Sequence, residues 1–471
     1  MPASPHYQPA PRYNALGPDH ADAVEPARFP TRVLRYRNQR WAARVGLGDL
    51  DASEWEAHFA RFEPLPGNFD RPLALRYHGH QFMVYNPNLG DGRAFLHAQL
   101  RDPADGRLLD LGTKGSGRTP WSRGGDGRLT LKGGVREVLA SEMLEALGVD
   151  TSKAWSLFET GEPLQRNDEP SPTRSAVLVR LSHSHIRFGT FQRHAYHGDV
   201  KALRDLLDHA VENYFPEIGD DAGRPAAFLR EVCRRSARLC ASWFVAGFVH
   251  GVLNTDNMNI TGESFDYGPW RFLPTFDPSF VAAYFDHGGL YAFGRQSGVV
   301  LWNLERLADA LRPLAPAADL APALEAFETH FQAALRERFL RRMGLESRAF
   351  DEDAALFESC YRFLGESGAG LDRFFFDWHG GRASEGRARS GEAGPRYAGA
   401  AFEAFRKALG AYAPSHPERL EGEYFSRPGP CTLLLDDIEA IWDTIAGRDD
   451  WLRFKEKLRE IEELRAAFAY Y

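Results

Sequence analysis

Cysteine is scarce in this 471-residue chain: Cys233, Cys240, Cys360 and Cys431 are its four copies, and no C-x-x-C pair occurs. That excludes a disulfide framework and a zinc ribbon as the basis of the fold and points to a reducing compartment. Cys233 and Cys240 are expected on one helix, about 10.5 Å of rise apart, too far to bridge. Lysine is also rare, confined to Lys114, Lys132, Lys153, Lys201, Lys407, Lys455 and Lys457 among 57 basic residues. Against 65 acidic residues these give a formal charge of -8. No domain-sized basic block stands out, so nucleic acid is excluded as the expected partner. An uninterrupted apolar run of about 18 residues is missing, as is a basic segment followed by an apolar one near residue 1. The expectation is a cytoplasmic protein with no signal peptide and no membrane contact. What is present, 43% hydrophobic and 26% charged residues, suits a folded protein of two or three units or one large two-lobed one.

Prolines at 2, 5, 9, 11 and 18 mark residues 1–70 as an irregular leader, with a helix near 52–62, that packs on the fold. Strand patterns begin at Tyr77, and 94–101 and 107–114 flank a five-residue turn as a hairpin would. Its second strand ends at Lys114. A loop rich in glycine and arginine follows, then a helix over 134–147 with Val135, Val138, Leu139 and Met143 on one stripe. A strand over 175–181 closes a first, β-rich unit. Helices are expected over 200–215, 225–248, 301–311, 322–342, 354–364, 400–409 and 451–468, and 380–395 reads as a mobile loop. No internal repeat is present.

The chemistry-bearing residues fall in a telling order. Asn88-Leu89-Gly90-Asp91-Gly92-Arg93 is a glycine-rich turn before a strand, where backbone N–H groups can approach phosphate; alone it equally suits a plain turn. It is followed by Lys114 at a strand end and by Glu137 on the next helix, the order of a protein-kinase small lobe, where a Lys–Glu pair holds an ammonium against nucleotide phosphates. Further on, His250-Gly251-Val252-Leu253-Asn254-Thr255-Asp256-Asn257 lies in register with the kinase catalytic loop, and Asp266-Tyr267-Gly268 stands for D-F-G. Val252 occupies the place of the kinase base and cannot accept a proton. Asp256, one residue before Asn257, can. Asn257 and Asp266 remain as two hard oxygen ligands for Mg²⁺ or Mn²⁺. His250 reads as a brace for the loop, and the pairs His78/His80 and His183/His185 lack the third ligand a zinc site needs.

The runs Tyr77-His78-Gly79-His80-Gln81-Phe82, Leu89 to Arg93, Gly112-Thr113-Lys114-Gly115-Ser116-Gly117, Ser184-His185-Ile186-Arg187-Phe188-Gly189, His250 to Asn257 and Phe265 to Pro269 resemble the selenoprotein O family over about residues 70–310. The resemblance implies a kinase-like fold that transfers AMP, not phosphate, from ATP bound in reversed orientation to protein hydroxyls. Carried over by position, it makes Gly90, Gly92 and Arg93 the nucleotide loop and Lys114, with Glu137, a phosphate contact. It places Asp126 and Gly127 at the nucleotide's other end and Arg180 and Arg187 facing it from the lobe junction. Asp256 becomes the general base, with Asn257 and Asp266 holding the metal and Asp266 also facing the nucleotide. Beyond residue 310 the similarity is expected to fade. Ala282 stands where relatives often carry cysteine, and the chain runs to Tyr470-Tyr471 without the family's cysteine or selenocysteine motif, so no redox bridge is expected.

The expected architecture is α+β and two-lobed, kinase-like, with a small β-rich lobe, a larger helical lobe and an added helical C-terminal region. Its divisions are 1–70 (extension), 71–181 (small lobe), 182–365 (large lobe) and 366–471 (divergent helical region). The expected function is a Mg²⁺-dependent protein adenylyltransferase acting on Ser, Thr or Tyr. A phosphoryl-transferring kinase and a silent nucleotide-binding pseudokinase scaffold are the alternatives.

Overall fold

A period of two along the strands decides which side chains meet which layer. The computed structural model describes residues 4–219 and 223–468, so Pro2 and Tyr470-Tyr471 lie outside the described residues. The strands are β1 (Ala21–Ala23), β2 (Val33–Arg37), β3 (Leu73–Leu75), β4 (Gly79–Gln81), β5 (Val84–Asn86), β6 (Leu96–Arg101), β7 (Leu108–Lys114), β8 (Leu129–Thr130), β9 (Lys153–Leu164), β10 (Thr173–Ser182), β11 (Phe248–Val249) and β12 (Arg271–Phe272). Eight of them make a curled antiparallel sheet in the order β1-β3-β6-β7-β10-β9-β2, with β8 pairing β10. On β10, Val177, Val179 and Leu181 turn to one face, where they pack with Trp55, Phe59 and Trp155. Ala176 and Leu178 turn to the other, against Val135, Val138 and Leu139 of the long helix that spans Leu131–Ala146. Arg180 shares this second face by register. Lys114 does too, because it is the antiparallel partner of Leu178.

Helices α1 (Gln39–Arg44) and α2 (Ala52–Phe59) cover the first face, and α3 (Leu131–Ala146) the second. The Thr130 hydroxyl caps α3 by accepting from the Gly133 amide at 3.1 Å. The chain then becomes helical: α4 (Phe188–Tyr196), α5 (Val200–Tyr214), α6 (Arg224–Ala246), α7 (Gln296–Leu311), α8 (Ala317–Glu325), α9 (Phe327–Met343), α10 (Phe350–Ser367), α11 (Leu371–Asp377), α12 (Glu385–Ser390), α13 (Ala400–Leu409), α14 (Leu435–Arg448) and α15 (Leu452–Phe468). Buried α6, whose Phe228, Leu229, Val232 and Trp243 face the core, packs against α7, α8 and α9. Cys233 and Cys240 both lie on α6, and all four cysteines are buried free thiols. No described helix is long and apolar enough to cross a membrane.

Two expectations need correction, and one strand was not foreseen. Residues 1–70 are not an irregular leader, for β1 pairs β3 and β2 pairs β9, closing both edges of the sheet. Those pairings join residues as distant as Val33 and Glu159, which no local pattern reveals. The twelve-residue β9 was not expected either, although it supplies one neighbour of β10. The glycine- and arginine-rich stretch 380–395 is not a loop throughout: it contains α12, and the Arg387 guanidinium donates to the Phe376 carbonyl and the Ser384 hydroxyl over the Phe425 ring. Composition suggested mobility there, and tertiary contacts to a distant segment override it.

The C-terminal helices return to the sheet side. α15 lies along α3, where Arg465 pairs with the buried Glu142 and Glu145, and Asp449 accepts from Arg35 on β2 and Arg174 on β10.

Candidate active site

The ladder between β11 and β12 closes residues 250–270 into a loop, with Phe248 opposite Phe272 and Val249 opposite Arg271. His250 braces its inside: a ring nitrogen lies 3.0 Å from the Phe265 carbonyl, and its amide donates to Gln296. Burial holds this imidazole below its ordinary pKa, so it serves as a neutral hydrogen-bonding group. Asp256 and Asn257 sit on a short 3₁₀ turn, Thr255–Asn257. Asp266 adopts a left-handed backbone conformation (φ 65°), a sparsely populated state for a residue with a β-carbon.

The sheet brings its own charges to this loop. Lys114 donates to Glu137 on α3 and lies 2.7 Å from Oδ1 of Asp266. Arg180 reaches the same oxygen at 3.1 Å. Burial alone raises the pKa of Asp266, but Lys114, Arg180 and Arg187 outweigh it and hold the carboxyl well below its ordinary range. Arg187 stacks over Tyr77 and Phe265 and lies 3.4 Å from Asp91. The Nε atoms of Arg180 and Arg187 are buried without a hydrogen-bond partner, which leaves donors to spare.

Asp256 is the opposite case. Burial, its largest influence, pushes its carboxyl up to about 6, although Arg187 pulls the other way. One oxygen has no partner, and the other lies 3.4 Å from the Gln81 amide. β4 approaches so closely that a β-carbon on Gly79 would stand 3.0 Å from Oδ1 of Asp256.

One cleft of about 560 Å³ joins these groups. Its walls include Gly90, Gly92, Arg93, Lys114, Asp126, Gly127, Arg180, Arg187, Asp256 and Asp266, which were all expected from sequence. Glu137 stands behind Lys114, and Asn257 sits on the turn beside Asp256; neither is part of the wall. At the far end Asp126 is engaged by Arg166 at 2.7 Å, which, against burial, lowers its pKa. Gly90 is fixed by proximity, since a β-carbon there would stand 2.4 Å from the Trp121 ring.

Residues that sequence reasoning gave no role also line the cleft or its floor. Tyr77, Gln81 and Asp91 lay in the quoted motifs, whereas Trp121, Arg128 and Arg166 carry no local signal and are collected by folding. The paired histidines are committed elsewhere: His78 to the Tyr85 hydroxyl, His80 to Gln192, and His185 beside Asp110. Among the described residues no cluster of three or more His, Cys, Asp or Glu side chains could hold a metal by itself. The chemistry of two side chains suits a hard cation that shares substrate oxygens: Asn257, whose amide nitrogen donates to the Val252 carbonyl, carries an amide oxygen, and Asp266 stays ionised.

A family model described as protein adenylyltransferase SelO matches residues 5–462. The similarity therefore does not fade beyond residue 310, nor does it begin at 70. Among curated proteins, "Protein nucleotidyltransferase YdiU" of Gloeobacter violaceus is 46% identical over 466 residues, covering 97% of this chain and 95% of that protein. The protein of the same name from Synechocystis sp. is 51% identical over 359 residues (75% and 74%). That from Myxococcus xanthus is 39% identical over 354 residues (75% and 71%).

Proposed function

Since the chain belongs to the protein adenylyltransferase SelO family, we propose that it transfers AMP from ATP to Ser, Thr or Tyr hydroxyls of proteins and releases pyrophosphate. In this reading the sheet with α3 and the helices from α4 onward act as the two lobes of a kinase-like fold, with 71–181 and the edge strands β1 and β2 of residues 1–70 as the small lobe, 182–365 as the large lobe and 366–471 as an added helical region. The observation that carries the proposal is the unpartnered, buried Asp256 oxygen at the base of a cationic cleft whose Lys114 and Arg180 converge on Asp266.

Asp256 takes the proton as the acceptor hydroxyl attacks the α-phosphorus. The bond from that phosphorus to the bridging oxygen breaks, and pyrophosphate carries off the electron pair. A carboxyl raised by burial toward the working pH is suited to this exchange. Arg180 and Arg187 meet the developing charge with planar forks whose free Nε donors need no rearrangement. Lys114 is held between Glu137 and Asp266, where it can meet a phosphate oxygen. Gly90, Gly92 and Arg93 close over the phosphates, and Asp126 and Gly127 bound the opposite end. Asn257 and Asp266 would hold Mg²⁺ or Mn²⁺, which when bound supplies charge neutralisation at the phosphates.

The protein incubated with ATP labelled separately on the α- and γ-phosphates tests this. Retention of α-label with release of pyrophosphate is expected; retention of γ-label alone defeats the proposal and favours phosphoryl transfer.

A further inference from the structure

The hairpin β4–β5 has a turn whose sequence contradicts its geometry. Gln81 pairs with Val84, so the connection is the two residues Phe82 and Met83, and both hold left-handed conformations (φ 49° and 63°). Two-residue hairpin turns with positive φ at both positions select Asn-Gly or similar pairs, because a β-carbon is disfavoured there. Here two large apolar side chains occupy the strained positions and remain exposed, Phe82 at 39% and Met83 at 41%. A local rule broken at a cost, by side chains that stay exposed rather than enter the core, points to a functional position.

The turn does not stand alone. The Phe82 amide donates to the Asn254 side chain and the Tyr291 hydroxyl, which pins the tip to the loop carrying Asp256. The Phe82 ring lies 6.0 Å from that of Phe285, which with Tyr284 (77% exposed) ends Pro278–Phe285, a stretch without a charged side chain. An apolar surface from two separate segments thus adjoins the Asp256 carboxylate, reached in two residues through Gln81.

We propose that Phe82, Met83, Tyr284 and Phe285 form the docking surface for the protein substrate and select polypeptide segments that carry an apolar or aromatic residue close to the accepting hydroxyl. The proposal rests on the adenylyl-transfer reading, which supplies the reason for a polypeptide to enter beside Asp256. Continuity with that carboxylate identifies the occupant: whatever covers these side chains brings its own groups to the base. The apolar, uncharged surface sets what those groups are.

The turn supplies its own test variant. Phe82→Asn with Met83→Gly installs the pair that the geometry prefers, so the hairpin is retained while the apolar tip is removed. Paired fluorescent peptides, each with one acceptor hydroxyl flanked by Leu and Phe or by Ser and Asn, are titrated against parent and variant by anisotropy, without nucleotide. The parent is expected to bind the apolar peptide at least tenfold more tightly, equivalent to about 1.4 kcal/mol. The double variant is expected to lose that preference while keeping its affinity for ATP, and Tyr284→Ser with Phe285→Ser should do the same. Equal binding of both peptides by the parent, or an unchanged preference in both variants, overturns the proposal. Because anisotropy needs no turnover, α-label transfer measured in parallel separates the two readings. Selective binding without AMP transfer would sink the reaction and spare the surface, and transfer without selectivity would do the reverse.

Discussion

Replacing Lys114 by Met tests the centre of the site. The change keeps most of the unbranched side chain and removes its charge, leaving Glu137 buried on α3 with no cation beside it (side-chain exposure 3%). Asp266 retains Arg180, so the damage falls on Glu137. Breaking a buried pair by deleting one partner costs about 3–5 kcal/mol, because the remaining carboxylate has lost both water and its counter-charge. With an unfolding entropy of about 2.1 cal/mol/K per residue, a chain of this length has about 1 kcal/mol/K in all, so the midpoint should fall by about 3–5 °C at pH 7.5. An unpaired buried carboxyl takes up a proton more readily than it does unfolded, so the deficit should shrink toward pH 5. The double change Lys114→Met with Glu137→Leu replaces the pair by apolar volume and should recover most of the stability, but not ATP affinity, which calorimetric titration measures. A single variant within about 1 °C of the parent, or a double variant that binds ATP normally, would refute the assignment.

Asp256→Asn should abolish AMP transfer and, in chelator-treated protein, stabilise the fold. The folded carboxyl is raised to about 6 from an ordinary 3.8, so stability is lost as pH rises through about 4 to 6. At pH 8 the full penalty, about 3 kcal/mol, disappears in the variant and raises the melting midpoint by about 3 °C, whereas at pH 3.5 the two proteins should melt together. Gly79→Ala puts a methyl group 3.0–3.2 Å from Asp256 and Thr255, and the resulting shift of the base should lower kcat about tenfold with little change in melting temperature. Arg465→Met leaves Glu142 and Glu145 together with less positive charge; α15 should detach from α3 more readily, read as faster proteolytic loss of the C-terminal helix and a lower melting midpoint.

Much of this site is written in short runs of sequence, for a physical reason. A β-strand fixes the face of every second residue, and a loop between paired strands keeps its residues together. Lys114 at a strand end, Glu137 on the following helix and Asp256 before Asp266 could therefore be read in order, and the fold joins Lys114 to Glu137 and Asp266 and lines one cleft with Lys114, Asp256 and Asp266. The hairpin β6–β7, the helix α3 and the buried α6 were legible from periodicity, since each buries a stripe or face that its own sequence spells out. What escaped depends on partners far along the chain. The edge strands β1 and β2, the neighbour β9, and Arg166 reaching Asp126 across 40 residues are decided by pairing and charge contacts between segments with no mutual local signal. The same limit hid the hairpin tip: Phe82 was read as one letter of a motif, and only the fold shows it strained, exposed and pinned beside Asp256. Sequence by itself determined which groups could do chemistry, because that is set by residue type and local spacing. Tertiary structure alone decided which of them lost water, which kept a partner and which were left without one, because burial and pairing belong to the assembled chain.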